Sequence, residues 1–258
     1  MTGESTANAA VPVAVVTGAS RGLGAEIAVS LAADGFDIVL VARSTEHNPG
    51  KLSGTIDEVG ERVVAAGRRA LPIAADVRDE SSIAAAIDEV YDHFGRCDVL
   101  VNNAGVLTPQ PLMETPTKLW HLVMDVNLTA PFVFTREVFP RMEVAKSGRI
   151  INISSGAAAF PDYPYVSYCV AKRGLEALTE GLGRQTGPHV AVNALQIDAV
   201  IWSEGLEALQ GPEVAAAAEQ PDQVARAVVH IARQPLDVSG RVFLLSQLDA
   251  ADSADAVR

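Results

Sequence analysis

Short apolar segments alternate with longer segments of helical periodicity along most of the chain. The apolar runs lack regular polar positions, which is typical of strands that are buried on both faces of a parallel sheet. Strands are predicted over residues 11–17, 37–42, 70–74, 99–102, 148–153, 190–195 and 241–245. Helices are predicted over residues 25–34, 55–66, 81–94, 118–144 with a break near Pro131, and 168–185.

This alternation predicts an α/β fold, a Rossmann-type doubly wound parallel sheet of about seven strands flanked by helices. No linker or shift in composition divides the chain, so residues 1–258 are expected to form a single domain. Residues 1–10 are small and polar and are expected to be a flexible tail. The polar segment 45–54 follows the second strand, and it is expected to be mobile or to line the rim of a binding site.

The composition is that of an acidic globular protein. Hydrophobic residues make up 48% and charged residues 20% of the 258 positions, which argues against disorder. The net charge of −12 disfavours nucleic acid and anionic lipid, so neither is expected as a partner. Cys97 and Cys169 are the two cysteines, which favours a reducing compartment without a disulfide framework.

The sequence contains no targeting or metal-binding pattern. The first ten residues lack the basic and apolar regions of a signal peptide, and no apolar run reaches the length of a membrane span. A cytoplasmic protein is therefore expected. The histidines and cysteines show no metal-ligand spacing, so no metal site is expected.

A glycine-rich segment, Thr-Gly-Ala-Ser-Arg-Gly-Leu-Gly at 17–24, lies between the first strand and the first helix. Glycines there allow a tight turn and let backbone N–H groups approach a pyrophosphate at the helix N-terminus. The alternative is a glycine-rich turn without a ligand, which the position between strand and helix disfavours. The predicted phosphate-binding residues are Gly18, Ser20, Arg21, Gly22, Leu23 and Gly24.

The end of the second strand bears on the choice between NAD and NADP. An acidic residue at this point of a Rossmann site hydrogen-bonds the ribose 2′-hydroxyl, whereas an arginine accommodates a 2′-phosphate. This chain has Arg43-Ser44 and no acid, and Arg21 adds a second positive charge. NADP(H) is therefore the preferred cofactor and NAD(H) the alternative, while two surface arginines without a ligand are the purely structural interpretation.

Tyr168 and Lys172 lie four residues apart on a predicted helix, so they share one helix face. The ammonium, together with the positive charge of an oxidised nicotinamide, is expected to lower the pKa of the phenol and suit it to acid–base catalysis. A Tyr–Lys pair by itself is common on helices. Ser155, with Ser154 as the competing choice, lies near the end of a predicted strand, where a hydroxyl can hydrogen-bond a substrate oxygen.

These motifs resemble the short-chain dehydrogenase/reductase (SDR) superfamily over about residues 11–200, because they occur in the family's order and at fitting separations. Asp76-Val77 is similar to the segment that contacts adenine, and Asn102-Asn103-Ala104-Gly105 to the motif that lines the adenine ribose. The resemblance implies that Ser155 positions substrate and that Tyr168 transfers the proton. It implies further that Lys172 lowers the phenol pKa and binds the nicotinamide ribose, and that Asn127 supports a proton relay through water.

The chain departs from the family pattern after residue 195. Gln196-Ile197-Asp198 replaces Ala-Pro-Gly, so a negative charge is expected near the nicotinamide pocket. Trp202, which is equally a pocket wall or a core residue, replaces a threonine, and Val200 is the remaining expected cofactor contact. Residues 204–221 are expected to form a short substrate lid.

The resemblance thus implies an NADP(H)-dependent oxidoreductase that interconverts a carbonyl and a secondary alcohol of a small molecule, with Tyr168 as general acid/base. A homodimer or homotetramer is expected, because the helices that carry Asn127 and Tyr168 commonly form a subunit interface in this family. The alternative, suggested by Ile197-Asp198, is a dinucleotide-binding protein without turnover that acts as a redox sensor or assembly partner.

Overall fold

The computed structural model describes residues 11–160 and 164–248, and the expected tail over residues 1–10 lies outside them. Seven parallel strands form one sheet in the order β3-β2-β1-β4-β5-β6-β7, which confirms the predicted fold class. The strands are β1 (Val13–Thr17), β2 (Asp37–Ala42), β3 (Ala70–Ala74), β4 (Val99–Asn102), β5 (Gly148–Ser155), β6 (Val190–Ile197) and β7 (Val242–Leu244).

Helices cover both faces of this sheet, as right-handed crossovers between parallel strands require. They are α1 (Gly22–Ala33), α2 (Ile56–Ala65), α3 (Glu80–Phe94), α4 (Thr117–Met124), α5 (Ala130–Ala145), α6 (Val166–Gln185), α7 (Glu204–Gln210), α8 (Pro212–Ala217) and α9 (Asp222–Ala232). A π-helical segment, Asp125–Thr129, joins α4 to α5, and short 3₁₀ turns occur at Leu112–Glu114 and Gly156–Ala158.

Two apolar cores, one on each face of the sheet, explain the uniformly apolar strands. In β1, Ala14 and Val16 belong to the core beneath α1, α2 and α9. Val13 and Val15 point to the opposite core beneath α3 and α5. All four side chains are almost completely buried, because successive residues of a strand face opposite sides.

Two helical regions differ from the sequence prediction. The sequence analysis predicts no helix over the residues of α9. In the structure, Val224, Val228 and Ile231 recur at helical spacing and bury an apolar face against the sheet and α1. The predicted break near Pro131 is wrong, because Pro131 lies in the first turn of α5 and the helix continues through the π segment. A wider helical turn accommodates a residue that lacks a backbone N–H.

The ends of the central strands also differ from the prediction. β5 and β6 each continue two residues further than expected, and Ser155 pairs with Ile197 at their last position. Ser155 thereby lies at the carboxyl end of the sheet, the edge at which open α/β sheets bind ligands.

Candidate active site

A cleft of about 890 Å³ opens at the carboxyl ends of the strands. Its volume lies in the range of cofactor and ligand sites. Of the eighteen predicted site residues, Asn127 does not line this cleft. The others do, and they are Gly18, Ser20, Arg21, Gly22, Leu23, Gly24, Arg43, Ser44, Asp76, Val77, Asn103, Ala104, Gly105, Ser155, Tyr168, Lys172 and Val200.

The glycine-rich segment has the geometry of an anion-binding loop. A Cβ on Gly24 would lie 2.2 Å from the carbonyl oxygen of Gly18, so no other residue fits there. Gly18 has φ +66°, a conformation that favours glycine. The N-cap of α1, Arg21, forms no side-chain cap, so the N–H groups of the first turn are free to bind a phosphate. The segment therefore fits a dinucleotide pyrophosphate.

The end of β4 holds this loop in place. The hydroxyl of Thr17 accepts hydrogen bonds from the backbone N–H groups of Asn103 and Ala104, both at 3.0 Å. The side-chain amide of Asn103 donates to the carbonyl oxygen of Thr17 at 2.9 Å. Behind it, the amide of Asn102 donates to Asn152 on β5 at 2.8 Å. The Asn-Asn-Ala-Gly motif thus joins the phosphate loop to the centre of the sheet.

Arg21, predicted as a second positive charge near a 2′-phosphate, is engaged by protein groups. Its guanidinium donates to the carbonyl oxygens of Ser53, Leu52 and Gly54 at 2.7, 3.1 and 3.0 Å, and to the Ser44 hydroxyl at 2.8 Å. These bonds fasten segment 45–54 to the phosphate loop and engage the Nε and Nη2 atoms of Arg21. Segment 45–54 contributes Leu52 to the cleft, consistent with the rim alternative.

Arg43 is the exposed positive charge at the end of β2. It lines the cleft, and no hydrogen bond or ion pair engages its guanidinium within the described residues. It is close enough to Asp76 to lower the pKa of that carboxyl. Of the two arginines that the sequence points to, Arg43 is therefore the one whose guanidinium has no partner in the described part of the chain.

Asp76, predicted to contact adenine, forms an ion pair with Arg78. The Nη2–Oδ2 distance is 2.5 Å, and the backbone N–H of Arg78 also donates to the carboxylate at 3.0 Å. The hydrogen bonds from Arg78 are the main cause that lowers the pKa of Asp76 to about 2. Arg78 lines the cleft too, and the sequence analysis did not single it out. Its position two residues after Asp76 was the available signal.

Tyr168 and Lys172 share the face of α6 that turns to the cleft. The Lys172 Nζ atom lies 5.5 Å from the centroid of the Tyr168 ring. The same Nζ donates a 2.7 Å hydrogen bond to the carbonyl oxygen of Ile153. Burial lowers the pKa of Lys172 to about 8, so the ammonium loses its proton far more readily than an exposed lysine.

The protein groups alone do not lower the pKa of Tyr168. Burial raises the pKa of the phenol to about 12, and a hydrogen bond with Ser155 opposes this shift without cancelling it. The expectation combined two positive charges, and only Lys172 belongs to the chain. At neutral pH the phenol is thus a proton donor.

Asn127 lies in the π segment, completely buried beside the cleft rather than in its wall. Its amide nitrogen donates to the carbonyl oxygens of Val106 and Val123, both at 2.9 Å. Its Oδ1 accepts from the N–H of Val106 at 3.2 Å. π-helical turns occur often at functional sites, and this one directs Asn127 to the loop after β4.

The altered turn after β6 directs its charge away from the cleft. Asp198 accepts hydrogen bonds from the hydroxyl and backbone N–H of Ser246, at 2.6 and 3.1 Å. The cleft is lined instead by Ile197, Ala199 and Val200. The carboxyl group of Asp198 is therefore bound to the segment after β7 and does not line the cleft.

The segment predicted as a lid borders the cleft. Ser203 caps α7 by accepting from the N–H of Leu206 at 3.1 Å, and α7 lines the cleft through Gly205, Leu206, Leu209 and Gln210. Tyr165 reaches the lid with its hydroxyl 3.3 Å from the Gln210 amide nitrogen. Trp202 lines a smaller cavity of about 210 Å³ behind the phosphate loop rather than the cleft.

Within residues 11–160 and 164–248, no three His, Cys, Asp or Glu side chains are placed to hold a metal ion. None of the helices described there combines the length and apolar character needed to cross a membrane.

Comparisons with known proteins agree with this geometry. The human hydroxysteroid dehydrogenase-like protein 2 is 34% identical over 231 residues, 89% of this chain and 55% of its own length. The chain spans about half the length of the curated relatives it matches. A Xanthomonas campestris protein assigned as a dehydrogenase has a TM-score of 0.85 and 32% identity, covering 94% of this chain and 90% of its own.

A metagenomic short-chain oxidoreductase, solved in complex with NADP, has a TM-score of 0.76 and 36% identity, covering 90% of this chain and 96% of its own. The short chain dehydrogenase family model matches residues 12–204, three quarters of the chain and nearly all of the elements that build the cleft. With its phosphate loop, parallel sheet and Tyr–Lys helix, this chain belongs to the short-chain dehydrogenase/reductase family.

Proposed function

We propose that the protein is an NADP(H)-dependent oxidoreductase that interconverts a carbonyl and a secondary alcohol of a small molecule, with Tyr168 as its general acid/base. The observation that carries the proposal is the convergence of Tyr168, Lys172 and Ser155 on one cleft that also contains the phosphate loop. A bound nicotinamide dinucleotide supplies or accepts the hydride.

The chain's own residues handle the proton. Tyr168, protonated because burial raises its pKa to about 12, donates its proton to a carbonyl oxygen. The hydroxyl of Ser155 hydrogen-bonds the same oxygen and stabilises the negative charge that develops on it. Lys172 adds a buried positive charge beside the phenol, which stabilises the phenolate left behind.

The preference for NADP(H) rests on Arg43. An exposed guanidinium that has no partner among residues 11–160 and 164–248 suits a 2′-phosphate at the end of β2, and no acidic residue follows this strand to select a ribose hydroxyl. The NADP complex of the metagenomic relative supports the same choice. A homodimer or homotetramer remains our proposal for the assembly.

Replacing Tyr168 with Phe tests the function directly. NADPH oxidation is measured across a panel of ketones, aldehydes and quinones, and kcat is expected to fall about 100- to 10,000-fold in the Tyr168→Phe variant. NADPH binding, followed by nucleotide fluorescence, should persist. Equal rates in both proteins would contradict the role of Tyr168, and binding without turnover in either would favour the non-catalytic alternative.

A further inference from the structure

Three polar side chains are buried between the catalytic helix and the sheet. Glu176 follows Lys172 by one turn of α6 and is 2% exposed. Ser154 on β5 and Gln196 on β6 are buried beside it. The Ser154 hydroxyl and the Gln196 amide nitrogen each donate to Glu176 Oε1 at 2.7 Å. The cluster joins two neighbouring strands to the helix that carries Tyr168.

Both side chains that contact Glu176 Oε1 act as hydrogen-bond donors. An amide nitrogen can only donate, and two donors directed at one oxygen stabilise its negative form. A buried carboxylate needs a nearby positive charge. Arg173 Nη1 lies 3.4 Å from Oε2, but its side chain is 69% exposed, so water and salt screen its charge. The buried cation on the same helix face is Lys172.

Few charged groups influence the pKa of Lys172. Burial lowers its pKa, and Glu176 is the group that opposes this effect. The elements packed against α6 also carry Arg149 on β5, Lys118 and His121 on α4 and Asp125 in the π segment. None of these groups shifts the pKa of Lys172. The Arg149 side chain is bound to the Gln234 carbonyl oxygen, and β6 contains no charged residue.

We propose that Glu176 is a positioning residue of the reaction: held between Ser154 and Gln196, its carboxylate keeps Lys172 as an ammonium beside Tyr168. This inference rests on the proposed function, since it assigns a purpose to the charge on Lys172. It also explains one departure from the family pattern. Gln196 stands where the family has alanine, and in this chain it supplies one of the two donors that hold the carboxylate.

Direct titration of Lys172 tests the proposal without any turnover. The protein is labelled with [¹³C]lysine, and the ¹³Cε shift of Lys172 is followed with pH. Lys172→Arg identifies the signal among those of Lys51, Lys118 and Lys146. In Glu176→Gln, which keeps the side-chain shape, the Lys172 midpoint is expected to fall by about one pH unit. Glu180→Gln removes the same charge one turn further along α6 and should leave the midpoint unchanged.

Activity gives a second measurement. In NADPH-dependent carbonyl reduction, the alkaline limb of the pH–rate profile should move to lower pH in Glu176→Gln and stay in place in Glu180→Gln. Should Glu176→Gln fail to fold, the triple variant Ser154→Ala/Glu176→Met/Gln196→Ala removes the cluster without leaving unpaired polar atoms, and the same fall in midpoint is expected.

An unchanged Lys172 midpoint, or an equal fall in Glu180→Gln, overturns the inference and leaves Glu176 as a structural contact. A lower midpoint in a protein that turns over no carbonyl substrate supports the electrostatic role of Glu176 and contradicts the proposed function.

Discussion

The two ends of the cleft hold their charges in different ways. At the adenosine end, Asp76 and Arg78 pair at the surface, with side chains 32% and 44% exposed. At the catalytic end, Lys172 and Glu176 are almost completely buried. The pKa of Asp76 falls from 3.8 to about 2 through hydrogen bonds to Arg78, whereas the pKa of Lys172 falls from 10.5 to about 8 through burial.

The two pKa values fall by similar amounts, but they have opposite consequences for the stability of the folded protein. The lowered pKa of Asp76 favours its charged form and stabilises the folded protein. The lowered pKa of Lys172 disfavours its charged form, so a protonated Lys172 costs free energy of folding. Charges retained at such a cost are typical of functional sites, which is why the buried end of the cleft is the better candidate for chemistry.

The largest difference in stability between the two ends of the cleft is expected when an asparagine at each end is replaced by alanine. Asn127→Ala removes three hydrogen bonds between a completely buried side chain and the backbone of Val106 and Val123, and it should lower the free energy of unfolding by about 2–4 kcal/mol. Asn48→Ala, in the exposed segment near the adenosine end, should change it by less than about 0.5 kcal/mol. Urea denaturation measures both, and similar losses would show that the ends do not differ in this way.

Cofactor binding should separate the two arginines. Arg43→Asp removes the free guanidinium and is expected to weaken NADPH binding about 10- to 100-fold while NADH binding changes much less. Arg21→Gln frees segment 45–54 and should weaken both cofactors to a similar, smaller extent. Fluorescence titration with both nucleotides measures the effects. A selective loss of NADPH in Arg21→Gln would reassign the 2′-phosphate contact to Arg21.

The smallest effect on stability is expected at the exposed ion pair of Asp76 and Arg78. Because the folded pKa of Asp76 is depressed, its stabilisation is complete above pH 3.8 and is lost as the pH falls through about 2. Partial exposure limits it to less than about 1 kcal/mol. The stability difference between wild type and Asp76→Asn should therefore shrink by about half between pH 7 and pH 3. A difference independent of pH would show that Asp76 acts through packing.

The elements that the sequence predicted well carry their signal in a few consecutive residues. The strands β1, β2 and β4 are apolar except for one polar residue at an end, and the phosphate loop and the Tyr–Lys pair are local patterns on a strand end and a helix. The sequence analysis predicts no helix between the lid at residues 204–221 and the last strand, although the apolar spacing of α9 is regular. The ion pair between Asp76 and Arg78 could also be predicted from the sequence, because the two residues lie two positions apart.

The sequence by itself determined the alternation of buried strands and helices, and with it the edge of the sheet at which the cleft forms. Only the tertiary structure decided how individual charges act within that cleft. It directed Arg21 to backbone carbonyls, Asp198 to Ser246 and Glu176 to the neighbourhood of Lys172. Periodicity follows from local backbone geometry, whereas the pKa of a side chain depends on burial and on partners that lie far away in the sequence.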